Sequence, residues 1–314
     1  MAVLLSAAVV SLLITFPIVW LLILFKFGQP IRMEGPAFHQ AKSGTPTMGG
    51  IGFVLTILIL SLILINVEFR PDYLALIFLV LAFALIGLAD DLLKIFRRQN
   101  LGLTFWQKII LQFAAAGGFA IFFTLLGYNL SISGLLFKFG FSDPYLYQLL
   151  LMFMIVGFAN ATNLADGLDG LLAGTAGIAF LALAFVSAKL NAPDAVIFSL
   201  IAAGAIIAFL YFNFPRAKIF MGDVGSLALG AGLAGLAIIL HEELRLILIG
   251  GIFAVEALSV ILQVVAYKFF KRRIFKMAPL HHHFELMGIK EWVVVVGFWM
   301  VGGILGLIGI LWNI

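Results

Sequence analysis

Four short polar segments interrupt a largely apolar chain of 314 residues, and they hold most of its chemically versatile side chains. The first is Asp90-Asp91, with Lys94 one helical turn later. The second reads Asn160-Ala-Thr-Asn163-Leu-Ala-Asp166-Gly167-Leu168-Asp169-Gly170. The third reads Asn213-Phe-Pro-Arg-Ala-Lys218-Ile-Phe220-Met-Gly222-Asp223-Val-Gly225-Ser226, and the fourth Pro279-Leu-His281-His282-His283-Phe-Glu285. Carboxylate and carboxamide oxygens suit Mg2+, a hard cation that keeps several waters and often bridges to phosphates. Asp-Gly and Gly-Asp pairs permit tight turns whose backbone N–H groups face an anion. With Lys and His added, these are the parts of phosphoryl transfer, where positioning and charge neutralisation supply most of the catalysis.

Taken singly, each segment also has a structural reading. Asp90-Asp91 can cap a helix or sit at a water interface. Asp166 and Asp169, three apart, share either a helical face or a turn. Asp223 between two glycines can be a simple N-cap. Glu256, near Gly250-Gly251, lies deep in an apolar stretch and is either functional or hydrogen-bonded among helices. The case for shared chemistry rests on the elements that carry these segments.

Those elements are membrane helices. The chain is 64% hydrophobic and 11% charged, whereas soluble domains run near 25% charged. So much apolar surface needs the bilayer as its solvent. A formal charge of +4 is too small to suggest nucleic acid, and the absence of cysteine excludes disulfides, thiolate nucleophiles and Cys-ligated metals. A spanning helix needs about 20 apolar residues. Ten stretches are candidates, 3–25, 48–66, 73–89, 106–126, 145–161, 171–189, 195–212, 226–241, 246–268 and 292–312, of which 73–89, 145–161 and 226–241 are short, so that counts of nine and eleven stay open. The first is too long for a signal-peptide core and lacks a small-residue cleavage site. The expected fold is therefore an all-α polytopic membrane protein, a single integral membrane domain over residues 1–314, with both termini on one side. Of the 19 Lys and Arg, fifteen flank or lie in segments 26–47, 90–105, 162–170, 213–225 and 269–291. Only Arg70, Lys138, Lys189 and Arg245 fall on the opposite side. The positive-inside rule puts the first set in the cytoplasm and both termini outside. All four polar segments belong to that set. The outer connection 127–144 alternates glycines with β-prone residues and predicts a small hairpin. A first cytoplasmic segment ends Lys42-Ser-Gly44-Thr45-Pro46-Thr47-Met-Gly49-Gly50. Its spacing is not that of a Walker A loop, but its glycines and Lys42 suit approach to a phosphate.

In this order, Lys42…Thr45-Pro46-Thr47-Met-Gly-Gly, Asp90-Asp91, Asn160-x-x-Asn163-x-x-Asp166-Gly-x-Asp169-Gly, Asn213…Phe220-Met-Gly-Asp223-x-Gly-Ser226 and Pro279-x-His281-His282-His283-x-Glu285 resemble the phospho-N-acetylmuramoyl-pentapeptide transferases. These form a branch of the polyprenyl-phosphate sugar-1-phosphate transferases. The resemblance runs from about residue 30 to 290. It implies transfer of phospho-MurNAc-pentapeptide from UDP-MurNAc-pentapeptide to undecaprenyl phosphate, giving lipid I and UMP, in the bacterial cell membrane with the active site on the cytoplasmic face. It further implies Mg2+ and a homodimer. By motif, Asp223 resembles the metal ligand, and Asp90 and Asp91 the acidic pair beside the polyprenyl phosphate, Asp90 being the candidate base. Asn213 matches an active-site asparagine, with Asn160 and Asn163 in the same motif set. His282 and His283 match diphosphate-positioning histidines, with His281 a lesser candidate. Lys42, Thr47, Asp166, Gly167, Leu168, Asp169 and Phe220 match the nucleoside pocket. Gln263 is placed near the uridine by spacing alone. Both direct attack by the lipid phosphate and a route through a phospho-aspartate are compatible with these residues. The nearest alternative is a sister transferase using UDP-GlcNAc, against which the unbroken His281-His282-His283-Phe-Glu285 run argues. An ion-coupled transporter is the alternative from another class. It predicts ionisable residues near the bilayer midplane, where only Glu256 qualifies.

Overall fold

The computed structural model describes residues 1–25, 44–65, 70–97, 99, 101–126 and 143–312, and every statement below concerns these. The proposed hairpin at 127–144 falls almost wholly outside them, as does Lys42 with most of segment 26–47. Twelve helices account for most of the described chain, and it contains no strand. In chain order they are α1 (Ala2–Leu24), α2 (Gly50–Leu64), α3 (Pro71–Arg97), α4 (Phe105–Leu125), α5 (Pro144–Ala165), α6 (Leu171–Lys189), α7 (Pro193–Asn213), α8 (Asp223–Leu240), α9 (Glu243–Ile249), α10 (Gly251–Phe270), α11 (Leu280–Leu286) and α12 (Glu291–Leu311). Nine are long and apolar enough to cross a membrane, and α2, with 15 residues, is a shorter tenth. The chain is an all-helical polytopic membrane protein, as its composition requires.

The structure corrects the expected boundaries in ways that bear on the chemistry. α3 does not stop at residue 89. It runs 27 residues, about 40 Å at 1.5 Å per residue, and so exceeds the ~30 Å hydrocarbon layer. Asp90 and Asp91 therefore project from a rigid helix rather than a loop. α5 likewise continues past residue 161 and carries Asn160 and Asn163 on its last turns. The ninth expected span, 246–268, is broken at Gly250 into the short α9 and the long α10. The three histidines lie on a short helix of their own, α11.

Local sequence explains the helix starts. Thr104 and Gln107 close a reciprocal capping box at α4. Asp143 accepts from Tyr145 and Leu146 N–H at the start of α5, with Pro144 in the first turn.

α8 is the axis of the bundle. It packs against α3 and α5, while α7 packs against α1, α2 and α6. Of the apolar window of α8, 83% is buried, against 28% for α1, α4, α10 and α12, whose large apolar side chains face outward. Without a hydrophobic drive inside lipid, helices associate through close packing, and small residues permit it. Gly87 is the decisive case. A Cβ there would lie 2.2 Å from the Asp223 carbonyl oxygen and 2.5 Å from the Val224 nitrogen. Only a glycine lets α3 reach the first turn of α8.

Contacts between helix ends sort the spans into two faces. At one, Gly49 N–H donates to the Phe220 carbonyl, Leu103 N–H to Asp90, and Asp169 N–H to Glu291. At the other, Arg70 pairs with Asp194, Lys189 Nζ donates to the Ile310 carbonyl, Arg245 to the Trp312 carbonyl, and Tyr147 OH to Glu243. This is the alternation expected of ten spans, and the polar segments share the first face.

Gly87→Ala is expected to destabilise the detergent-solubilised protein by at least the ~1–3 kcal/mol typical of overpacking. Its thermal midpoint should fall by several degrees. Gly303→Ala, whose added Cβ meets nothing within 4 Å, should leave the midpoint unchanged. Equal midpoints in the two variants would contradict the assigned α3–α8 contact.

Candidate active site

At the first face, one carboxylate oxygen from each of Asp90, Asp91 and Asp223 comes within 4.8 Å of the other two. Asp90 and Asp91 are nearly inaccessible. Like charges this close repel strongly in a medium less polar than water, so the surroundings must compensate. Lys94, on the same face of α3, places Nζ 2.6 Å from Asp90 Oδ2, 3.4 Å from Asp91 Oδ1 and 3.3 Å from Asp223 Oδ2. Lys108, in the first turn of α4, lies 2.5 Å from Asp223 Oδ2. Neutral donors complete the set. Asn163 Nδ2 donates to Asp223 Oδ1 at 2.9 Å, Leu103 N–H to Asp90 Oδ1 at 2.9 Å, and Val224 N–H to Asp91 Oδ2 at 3.1 Å. Asp91 thereby caps the start of α8, satisfying a donor that the helix cannot satisfy itself. Asp223, in the first turn of α8, also gains from the positive end of that helix's dipole.

The turn that delivers Asp223 requires Gly222. Its φ is +78°, and a Cβ there would also lie 2.6 Å from Asp91 Oδ2. Thr47 packs beside this turn, fully buried, its hydroxyl 3.0 Å from the same imagined Cβ. On the other wall, the amide of Asn213 ties two segments together. Its Oδ1 accepts from Gly170 N–H at 3.0 Å, and its Nδ2 donates to the Ile219 carbonyl at 3.0 Å. Asp169 Oδ2 accepts from Ala217 N–H at 2.9 Å.

Most of these groups border a cavity of about 490 Å3, which Asp91 and Thr47 back without lining, and its volume is within the usual size of a small-molecule site. Asp90, Lys94, Lys108 and Asp223 line one part of it. Asn163, Asp166, Gly167, Leu168, Asp169, Asn213, Phe220, His281 and His282 line the rest. His282 is held by Glu285, whose Oε2 lies 2.8 Å from its Nδ1.

Residues 73–241 match the model of glycosyl transferase family 4, and residues 42–54 match signature 1 of the phospho-N-acetylmuramoyl-pentapeptide-transferases. Proteins of that name from Shouchella clausii and Bacillus subtilis are 48% and 46% identical to it, each over 91% of this chain and 88% and 89% of their own. One from Geobacillus sp. is 45% identical over 97% of this chain and 96% of its own. The chain belongs to the phospho-N-acetylmuramoyl-pentapeptide-transferase family. It is a multi-pass bacterial membrane enzyme.

Not every expected residue of this transferase reaches the cavity. Asn160 turns away, donating to Gln112 Oε1 and to the Val156 carbonyl. His283 accepts from Lys276 N–H through Nδ1 and does not line the cavity. Gln263 lies elsewhere: its Oε1 accepts from Ile274 and Phe275 N–H and its Nε2 donates to the Phe275 carbonyl, fixing the chain after α10. Lys94, set beside the aspartates in the sequence, lines the cavity with them, and so does Lys108, which charge counting along the chain treats only as a topological signal. Lys94 is legible at three and four residues after the aspartates. Lys108 carries no local signal beyond being a lysine at the start of an apolar span. Glu291, which accepts from Asp169 N–H at 3.0 Å, carries none.

The acidic cluster fits a divalent metal by its chemistry. Three carboxylates offer hard oxygen ligands within 4.8 Å of one another, as Mg2+ prefers. The two ammonium groups supply one positive charge fewer than the three carboxylates require. Asp166 lies in the negative field of the other carboxylates. Burial, and then the carboxylates of Asp223, Asp91 and Asp169, hold its pKa well above the ordinary 3.8.

Asp166 therefore binds its proton more tightly folded than unfolded, and its contribution to stability declines as pH rises above about 4. Asp166→Asn is expected to match wild type in ligand-free thermal midpoint near pH 4 and to exceed it increasingly toward pH 8. A midpoint difference independent of pH would contradict this electrostatic picture.

Proposed function

We propose that the enzyme transfers phospho-MurNAc-pentapeptide from UDP-MurNAc-pentapeptide to undecaprenyl phosphate, producing lipid I and UMP. The observation that carries this reading is the joining of three carboxylates, two lysines and an Asp-Gly-Leu-Asp-Gly turn around one cavity at the end of a membrane bundle. The fifteen-to-four bias of Lys and Arg supports a cytoplasmic site, where a soluble nucleotide donor meets a lipid acceptor.

In the reaction a lipid phosphate oxygen forms a bond to the sugar-bearing phosphorus. The bond from that phosphorus to the bridging oxygen breaks, and UMP leaves with the electron pair. Two anions must approach, so charge screening is the first task. Lys94 and Lys108 offer ammonium groups to the phosphate oxygens, and Asn163 holds Asp223 in place. Asp90 accepts a proton from a singly ionised acceptor phosphate, or orients the dianion. Both its oxygens are engaged, by Lys94 and by Leu103 N–H, which supports direct attack over a phospho-aspartate. His282, backed by Glu285, serves the diphosphate. Asp166, Gly167, Leu168, Asp169 and Phe220 form the nucleoside end, where an aromatic face stacks on a base. Asp223, with Asp90 and Asp91 beside it, would hold Mg2+. The ion would supply neutralisation of the diphosphate and of the leaving phosphate. A homodimer belongs to the same proposal, and the outward apolar faces of α1 and α12 leave room for one.

The test is UMP release by purified protein with Mg2+ and undecaprenyl phosphate, comparing UDP-MurNAc-pentapeptide with UDP-GlcNAc. Release with the muramoyl donor alone is expected, and release with UDP-GlcNAc alone would refute the assignment. Asp223→Asn is expected to lower turnover by at least a thousandfold with the fold intact. A near-normal rate would refute the metal role of Asp223.

A further inference from the structure

Glu256 lies within α10, a membrane-spanning helix, and has no accessible surface. His281, the second residue of α11, is equally buried. The one carboxylate meets that one residue twice. Its Oε1 accepts from the His281 backbone N–H at 3.3 Å, and its Oε2 lies 3.3 Å from His281 Nδ1. The ring then touches two of the segments that line the cavity. Nε2 packs so tightly on Gly167 that a Cβ added there would lie 2.2 Å from it, and the ring centroid is 4.2 Å from that of His282. A polar pair thus links a lipid-embedded helix to the Asp166–Gly170 turn and to the histidine beside the diphosphate end.

Packing does not account for this pair. Glu256 Oε2 and both ring nitrogens of His281 have no aligned hydrogen-bond partner, whereas buried polar atoms nearly always have one. An apolar pair of the same shape would serve stability better. What a carboxylate does and an apolar group does not is orient a ring and select its tautomer, by drawing the proton to the near nitrogen.

We propose that Glu256 and His281 are a positioning pair for the transfer reaction. Glu256 fixes the His281 ring with its proton on Nδ1, and the ring sets the spacing between His282 and the Gly167 turn. This rests on the transferase reading of the cavity.

The test uses the full-length enzyme in detergent. Glu256→Gln keeps the side-chain volume, removes the charge and offers an N–H toward Nδ1. It is expected to lower kcat by about ten- to a hundredfold, the usual effect of removing the carboxylate behind a functional histidine, with a thermal midpoint at or above that of wild type. Glu256→Asp should recover part of the loss. Because the carboxylate acts only through the ring, Glu256→Gln combined with His281→Asn should fall no lower than His281→Asn alone. Wild-type kcat in Glu256→Gln, or losses that multiply in the double variant, would overturn the proposal. Nitrogen-15 shifts of the His281 ring, assigned by their loss in His281→Asn, decide the pair without turnover. An Nδ1–H tautomer in wild type that is lost in Glu256→Gln is expected, and an unchanged tautomer overturns it. Absence of UMP release by the wild type would instead count against the transferase reading, with the nitrogen shifts still deciding the pair.

Discussion

The mutual repulsion of Asp90, Asp91 and Asp223 is the interaction that the rest of this structure answers. Like charges 4 Å apart repel by about 4 kcal/mol at the effective dielectric near a protein surface. The bundle brings them together regardless and surrounds them with Lys94, Lys108, Asn163 and the N–H groups of Leu103 and Val224. These partners come from four different helices and one connecting segment. The compensation is therefore a property of the assembled fold. It is incomplete in charge: three carboxylates face two ammonium groups.

Holding such a cluster demands rigidity, and the packing provides it. α8 enters the site with its first residue and is buried along nearly its whole length. α3 reaches it because Gly87 has no side chain, and the extra turns of α3 carry the aspartates beyond the hydrocarbon layer. The chemistry thus stands on helix ends rather than on free loops, with Asp223 and Asp91 at the positive end of α8, where backbone N–H groups lack partners. Asn213 and Asp169 join the remaining segments so that the Asp166–Gly170 turn is tied to the same frame.

Much of this is legible from the chain. Hydropathy alone counts ten spans, because the bilayer requires about 20 apolar residues for each, and the charge bias collects the polar segments on one face. Asp90, Asp166 to Asp169, Asn213, Asp223 and His282 do converge on one cavity, with Asp91 just behind it. The errors have local causes. Asp90 and Asp91 read as loop residues because hydropathy falls where the apolar run ends, whereas the helix continues on its own hydrogen bonds to Arg97. Gln263, placed near the site by spacing alone, does not line this cavity; the chain after α10 folds back and engages both ends of its amide.

What the sequence by itself determined is the solvent, the all-helical multi-pass architecture, the shared face of the polar segments and the family of chemistry. Each depends on composition or on short-range periodicity, which are written locally. Only the tertiary structure decided which cations neutralise which carboxylates, that Lys108 belongs to the site, and that Glu256 reaches His281 across 25 residues of chain. These depend on how helices far apart in the chain pack side by side, set by where a glycine allows two backbones to touch. That distance information is absent from any single segment.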